Sequence, residues 1–422
     1  MSSKDEAKDY DAIITKISQK IKEIHYDEET GGKIVVFLNS QIGNERYLKV
    51  KTIARFCEEL TKDLQTFTHD LHLSVYYDPE EAEKYSSQPD EQDDDRYSVD
   101  WWFGVQVPNF GIPKLEYLMG NVGYIKIIYF APVPIAGDMV ITAMNFLSTA
   151  DALIFDLREC SGGDPYNVMM FESYFFDAYN VPKLLLTRQC RIETPPQQQF
   201  WTYPYMPGKR LPDVPVAILT STCTFSGGED MAYTLKHHDR AVIVGEKTPG
   251  GAHMVKRVSV GNGCILRIPY AHPVHPLTGT DWEGTGVLPD IEVSREEALA
   301  AAHQELLSRL KLTAEDEQEK YKYDWLLQRV DSLYHPPSIA EEVLQRYPGV
   351  YQGWQVKLEK RRLFLVSPNR LHRDEMIPLS ENLFIADEGY NARFRIGENG
   401  LADALVWIGR DNDREIVYEK SV

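Results

Sequence analysis

Residues 214–238, VPVAILTSTCTFSGGEDMAYTLKHH, couple an apolar strand pattern to a loop of small polar residues, after which Ser226 opens a helix pattern. A hydroxyl at that point meets the positive end of a helix dipole and amide groups without intrahelical partners. Those amides can stabilise an oxyanion, and Gly227 and Gly228 leave room for a substrate backbone to approach. The same pattern also suits a serine that only caps its helix. A second loop has related chemistry. The run ALIFDLRECSGGDP, residues 152–165, is another buried-strand pattern ending in Gly162-Gly163, and Gly163 is placed to donate a second oxyanion bond. Two such loops after consecutive parallel strands fall at one edge of a sheet, where α/β folds place their sites.

A serine nucleophile needs a base. His69, His72, His253, His272 and His275 are available, with Glu229, Glu246 and Glu283 as orienting carboxylates, and spacing does not choose among them. The close pair in HPVHP lacks an HExxH helix and a cysteine partner, so no metal site is expected there. No cofactor is expected either. The cysteines Cys57, Cys160, Cys190, Cys223 and Cys264 form no CxxC pair and read as scattered buried thiols.

The elements that must position these groups follow from composition and periodicity. A chain of 422 residues, 43% hydrophobic and 26% charged, is globular and long enough for two or three domains. Its net charge, 45 − 64 = −19, argues against nucleic acid or an anionic membrane surface as partner. No apolar run reaches the roughly 18–20 residues of a membrane span. The N-terminus has no basic-then-apolar signal pattern, which favours the cytoplasm; secretion or a periplasmic location stays open for a chain whose signal peptide has been removed.

Residues 1–118 read mainly as helix, with Ile13, Ile14, Ile17, Ile21 and Ile24 on one stripe and Ile53, Phe56, Cys57, Leu60 and Leu64 on another. DLHLSVYY (70–77) alternates as a strand, and the acidic segment 78–96 reads as a solvated loop. Residues 119–335 alternate strand and helix patterns, giving an α/β layered core and a helical connector. The strands are expected at 122–130, 152–157, 183–187, 214–221, 241–246, 255–260 and 264–270. Helices are expected at 138–147, 226–238 and 294–310, the last with a Ser294–Glu297 capping box. Residues 336–422 are short β runs broken by turns such as Glu398-Asn399-Gly400 and Asp411-Asn412-Asp413, a small antiparallel β domain.

Taken in order, VGYIKI, DALIFDLRECSGGDP, ILTSTCTFSGGEDMAYTLK, AVIVGEKTPGGAH and GTDWEGTGVLPDIEV resemble the serine peptidase family of tail-specific (C-terminal processing) proteases. The branch most similar is that of interphotoreceptor retinoid-binding protein and the tricorn core, over roughly residues 55–300. The resemblance implies a ClpP/crotonase-like layered core, with Ser226 as nucleophile and Gly227 and Gly163 as oxyanion donors. Where Ser/Lys members place a lysine, this chain has Gly250 and Gly251; Lys247 lies too early, so that dyad is disfavoured. The tricorn-like pattern fits instead. His72, in Asp70-Leu71-His72, would take the Ser226 proton, and Glu283 would hold the histidine or the active-site network.

An unperturbed histidine base would make activity rise through about pH 6–7. The set would draw on both the N-terminal region and the core. Proteolytic members usually carry a PDZ domain after the histidine, whereas here only the acidic segment fills that interval, so tail recognition through such a groove is not implied. The final β domain separately resembles a small module appended to hydrolases. Two functions follow from the resemblance: a serine-type peptidase acting on a peptide or protein substrate, or a non-catalytic protein binding an apolar ligand. Retention of Ser226, His72, Glu283 and the glycines favours the peptidase; a homo-oligomer is compatible with either.

Overall fold

The isoleucine stripe at the N-terminus forms helix α1 (Ser3–Ile24), and Ile13, Ile14, Ile17 and Ile21 are all buried. The computed structural model describes residues 3–87, 107–177, 181–387, 389–409 and 415–421. Helix α2 (Glu28–Ser40) is capped by Asp27, whose carboxylate accepts the Thr30 amide, and a short α3 (Glu45–Leu48) follows. The second apolar stripe becomes α4 (Ile53–Thr68), capped by Thr52 and ended by His69 in the left-handed conformation, φ 60°. These helices do not close a core of their own. Their apolar faces pack with Leu73 and Val75 and with Val260, Cys264, Leu266 and Ile268 in one continuous cluster.

Residues 70–73 form a turn, so the strand read over 70–77 is only its second half, β1 (Ser74–Tyr77). The first part of the acidic segment is not a loop but helix α5 (Pro79–Ser87). Its composition hides a helix start: Asp78 accepts the Glu81 amide at 3.0 Å, Pro79 sits at the first helical position, and Glu80 and Glu81 complement the dipole. Residues 88–96 of that segment and the turn at 411–413 lie outside the described residues.

The central elements are β2 (Lys114–Leu118), β3 (Val122–Lys126), α6 (Val133–Phe146), β4 (Ala152–Asp156), α7 (Pro165–Glu172), β5 (Leu184–Gln189), β6 (Gln197–Trp201), β7 (Val216–Thr220), α8 (Gly227–His237), β8 (Ala241–Gly245), β9 (Met254–Gly261), β10 (Cys264–Val274) and β11 (Ile291–Glu292). One six-stranded sheet has the order β11-β8-β7-β4-β3-β2, with β7–β8 and β8–β11 parallel. Every residue of β4 and β7 is buried, as the unbroken apolar runs of a sheet covered on both faces require. The remaining strand runs belong to a second, antiparallel sheet, β1-β10-β5-β6 with β9 also on β10. That sheet includes β6, a strand absent from the sequence reading.

Helices α9 (Ala298–Leu312) and α10 (Glu317–Tyr334) follow. The first of them starts after Glu297, four residues later than the sequence suggested, and the Glu297 carboxylate meets His335 Nε2 at 2.8 Å. Eight strands between Gly349 and Glu419 form an antiparallel meander in chain order, and a bridge between Tyr351 and Lys420 ties its two ends, leaving little open edge. Arg329 of α10 is fully buried: it donates to the Asp387 carbonyl and, at 3.3 Å, to Asn391 Oδ1, and its guanidinium lies 3.9 Å from the Trp325 ring centre. The chain forms two compact units, residues 1–115, 125–149 and 155–296 in one and 116–124, 150–154 and 297–422 in the other. Ser226, His72 and Glu283 all lie in the first. Among the described residues no helix is long and apolar enough to cross a membrane.

Candidate active site

The small polar residues after β7 are spent on the loop after β4. Ser221 Oγ donates to the Arg158 carbonyl at 2.6 Å, Thr224 Oγ1 to the Leu157 carbonyl at 2.8 Å, and the Phe225 amide to the Cys160 carbonyl at 2.9 Å. Those bonds join the two loops and deliver Ser226 to the start of α8. The serine sits at φ 52°, ψ −119°, the first position of a type II′ turn that glycine ordinarily fills. Holding a serine there costs about 1–3 kcal/mol, so its surroundings must impose it. Glu229 is one such constraint. Its buried carboxylate accepts from the Ser226 amide (2.9 Å), Thr248 Oγ1 (2.6 Å), the Gly250 amide (2.7 Å) and the Gly251 amide (2.8 Å). Burial raises the Glu229 pKa even so, the four donors pulling the other way. Sequence reasoning offered Glu229 as an orienter of the histidine; the structure makes it a clamp on amides.

The paired glycines are needed for space. A Cβ on Gly162 would lie 2.7 Å from Ser226 Cβ and 3.0 Å from the Gly227 nitrogen, and one on Gly163 would lie 2.2 Å from the Phe130 carbonyl oxygen. Gly227 in turn packs against the Gly163 nitrogen, which is 3.2 Å from where its own Cβ would stand. The Gly227 N–H is the first of its helix and has no intrahelical acceptor. The bridge from this loop to Phe130 uses the Gly162 carbonyl and the Asp164 amide, leaving the Gly163 N–H out of it. The Gly163 nitrogen therefore lies close to Gly227, the residue after Ser226.

His72 arrives from the turn after α4, where Asp70 Oδ1 accepts the His72 amide at 2.8 Å. Its ring is buried and packs on Phe225, the residue before Ser226, at 4.7 Å between centres. Nδ1 has no hydrogen-bond partner. Burial pushes the His72 pKa down to about 4 against the opposing charge of Asp70, so the ring is neutral at pH 7 and able to accept a proton. That replaces the ordinary value near 6.5 expected from sequence. No hydrogen bond joins His72 to Ser226.

Glu283 is not a partner of the His72 ring. Its Oε2 accepts from the Ala252 amide (2.6 Å) and the His253 amide (3.2 Å) and stands 3.4 Å from His253 Nδ1, while Oε1 has no partner. His253 Nδ1 is 2.7 Å from Asp70 Oδ2. Burial raises the Glu283 pKa to about 7. At His253 burial lowers the pKa, but the hydrogen bond and charge of Asp70 outweigh it and the net shift is upward. At Asp70 burial works upward and His253 prevails, leaving the carboxyl below its usual range.

The other histidines have duties elsewhere: His69 ends α4, His272 lies 3.7 Å from Asp281, and His275 packs among Tyr233, His237 and His238. Lys247 is exposed. Asp70, His253 and Glu283 bring three potential ligand atoms within 4.8 Å of one another. Asp70 pairs with His253 and accepts the His72 amide, and Glu283 Oε2 accepts the Ala252 and His253 amides, while Glu283 Oε1 is left without a partner. Sequence reasoning weighed His253 only as a base and missed its link to Asp70, 183 residues away, and the role of Phe225 beside the histidine.

Residues 121–293 match the model of peptidase family S41. A "Carboxyl-terminal-processing protease" of Picosynechococcus sp. (strain ATCC 27264 / PCC 7002 / PR-6) is 27% identical over 186 residues, which cover 43% of this chain and 42% of that relative. The match thus spans less than half the relative's length. Among solved structures, a putative S41 protease from Bacteroides fragilis NCTC 9343 is 21% identical with a TM-score of 0.40, covering 44% of this chain and 51% of that one. The photosystem II D1 C-terminal processing protease is 14% identical, TM-score 0.42, covering 68% and 94%. The tricorn protease is 18% identical, TM-score 0.30, covering 50% and 18%. In its middle part the chain resembles tail-specific proteases.

Proposed function

We propose that this chain is a serine-type peptidase that hydrolyses peptide or protein substrates through an acyl-enzyme, on a ClpP/crotonase-like layered core. The observation that carries the reading is the company of Ser226: a serine held at positive φ, followed by Gly227 with the Gly163 nitrogen close by, and with a buried neutral histidine on the residue before it. His72 takes the Ser226 Oγ proton as the oxygen attacks the substrate carbonyl, and the Gly227 and Gly163 amides receive the developing oxyanion. The imidazolium then protonates the leaving amine, and water, deprotonated by the same ring, releases the acyl group. Glu283 acts on this set through His253 and the loop that carries it, rather than by touching His72.

A fluorophosphonate probe tests the assignment, because it reacts only with an activated serine. Mass spectrometry should find the adduct on Ser226, and Ser226→Ala should abolish it with the circular-dichroism spectrum unchanged. An adduct on Ser221 or Ser161 would overturn the assignment. A folded protein that resists the probe and copurifies with an apolar ligand would replace the peptidase by a binding protein.

A further inference from the structure

His253 joins the turn that carries His72 to the loop that faces the Ser226 backbone. On one side its Nδ1 meets Asp70 Oδ2 at 2.7 Å, and the other oxygen of the same carboxylate holds the His72 amide at 2.8 Å. On the other side it belongs to the 250–253 loop, whose Gly251 amide shares the Glu229 carboxylate with the Ser226 amide. Trp282 Nε1 donates to the Gly251 carbonyl at 3.0 Å, and Glu283 accepts the next two amides, so the loop is pinned along its length. A continuous series of short hydrogen bonds therefore runs from the backbone of the nucleophile to that of the base. The imidazole of His253 closes it.

We propose that His253 is a positioning residue, resting on the peptidase reading above: by bridging Asp70 to the 250–253 loop it fixes where His72 stands relative to Ser226. The surroundings suit a fixed ring. His253 is buried and flanked by the Tyr26 ring at 4.4 Å, which is itself stacked on His25 and tilted against His272. The charged and titratable groups around it are Asp70, Glu283, Asp281, His72 and His25, with Asp70 and Glu283 in direct reach. Both carboxylates favour the proton on Nδ1, which sets the donor toward Asp70.

The test uses the full chain with His253→Ala, His253→Asn and Asp70→Asn, a fluorophosphonate probe, and the His72 Cε1–H signal by NMR. In the wild type that signal should carry the ring-current shift of Phe225. His253→Ala should lower the maximal labelling rate about 10²-fold, the usual cost of a misplacement near 1 Å, with half-saturation by the probe within threefold. The His72 signal should lose its shift. Asparagine can place an amide N–H near the old Nδ1 position, so His253→Asn should recover about tenfold of the loss. Should His253→Ala fail to fold, Asp70→Asn, which keeps an acceptor for the His72 amide, should show the same slowed labelling and moved signal. Labelling within threefold of wild type together with an unmoved His72 signal would overturn the proposal, as would a His253→Asn variant no better than alanine. A wild type that never labels would sink the peptidase reading alone, because the His72 signal still decides whether His253 positions that ring.

Discussion

Replacing Gly251 by alanine adds one methyl group against the rings of Phe225 and His72, beside the proposed nucleophile Ser226. Built on the existing backbone, that methyl lies 2.3 Å from Phe225 Cε2 and Cζ and 2.8 Å from His72 Cε1. Carbon atoms need about 3.5 Å, so the Phe225 edge must retreat by about 1.2 Å and His72 by about 0.7 Å, or the loop must share the movement. The φ of Gly251 lies outside the left-handed region, so alanine adds no backbone strain and can keep its amide bond to Glu229. Overpacking of this kind costs about 1–3 kcal/mol, and the reduced entropy of the unfolded chain returns about 0.4–1 kcal/mol. The net loss of stability is then about 1–2 kcal/mol, which leaves the protein folded. The effect on chemistry should be far larger, because a displacement on the order of 1 Å in a catalytic pair costs about 10²-fold in rate. The assay is the second-order rate of fluorophosphonate labelling beside urea unfolding followed by circular dichroism. Gly32→Ala, in α2 with open space around the new Cβ, is the control and should label as the wild type does. A Gly251→Ala protein that labels within threefold of wild type would show that His72 and Phe225 do not need their present places, and the reasoning would fall.

Burial sets the pH dependence. With the His72 pKa lowered to about 4, the ring is already deprotonated at pH 5, so labelling should rise through about pH 4 and stay flat across pH 6–7; a limb centred near 6.5 would refute a buried base. Asp230, in the first turn of α8, is buried with its pKa raised from 3.8 to about 7, and Glu172, also buried, is raised well above its ordinary value by burial and by Asp230. The folded state holds that proton more tightly than the unfolded chain, so this group costs stability increasingly as pH climbs from about 4 to 7, up to about 4 kcal/mol in all. Asp230→Asn should therefore raise Tm markedly at pH 8 and little at pH 4; an equal shift at both would contradict it. Ser226→Gly should be about 1 kcal/mol more stable than Ser226→Ala in urea, since glycine alone relieves the positive φ; an alanine variant at least as stable would deny the strain.

The parts of this fold legible in the sequence are those whose local pattern decides the outcome. The isoleucine stripe of α1, the all-apolar runs of β4 and β7, and the passage from strand to small polar loop to helix around Ser226 each leave one option open to the chain. What the sequence hid depends on partners far along it. A run such as 264–270 shows that it is extended but not that it joins β1 and β5 in a second sheet. The start of α5 was masked by the charge of its neighbours, although Asp78-Pro79 is a sound helix start. Glu283 is legible as a candidate carboxylate, but its neighbour is not: the loop that returns His253 to Asp70 is set by tertiary packing, and no spacing rule relates residues 70, 253 and 283.

The buried guanidinium of Arg329 bears on how the C-terminal β sheet can be inherited. A module that folds alone can be cut from one gene and joined to another at the link before its first strand. Here the helix preceding that link carries a cation whose hydrogen bonds end on Asp387 and Asn391 inside the sheet. Severing the two would take both acceptors from that guanidinium, and where the charge stayed buried the defect would be on the order of 3–5 kcal/mol. A segment moved intact must therefore carry at least α10 with the sheet, and the compact unit they belong to reaches back through α9 to residue 297. A homologous sheet grafted behind a helix lacking the Trp325–Arg329 pair would arrive with unanswered carbonyls of its own.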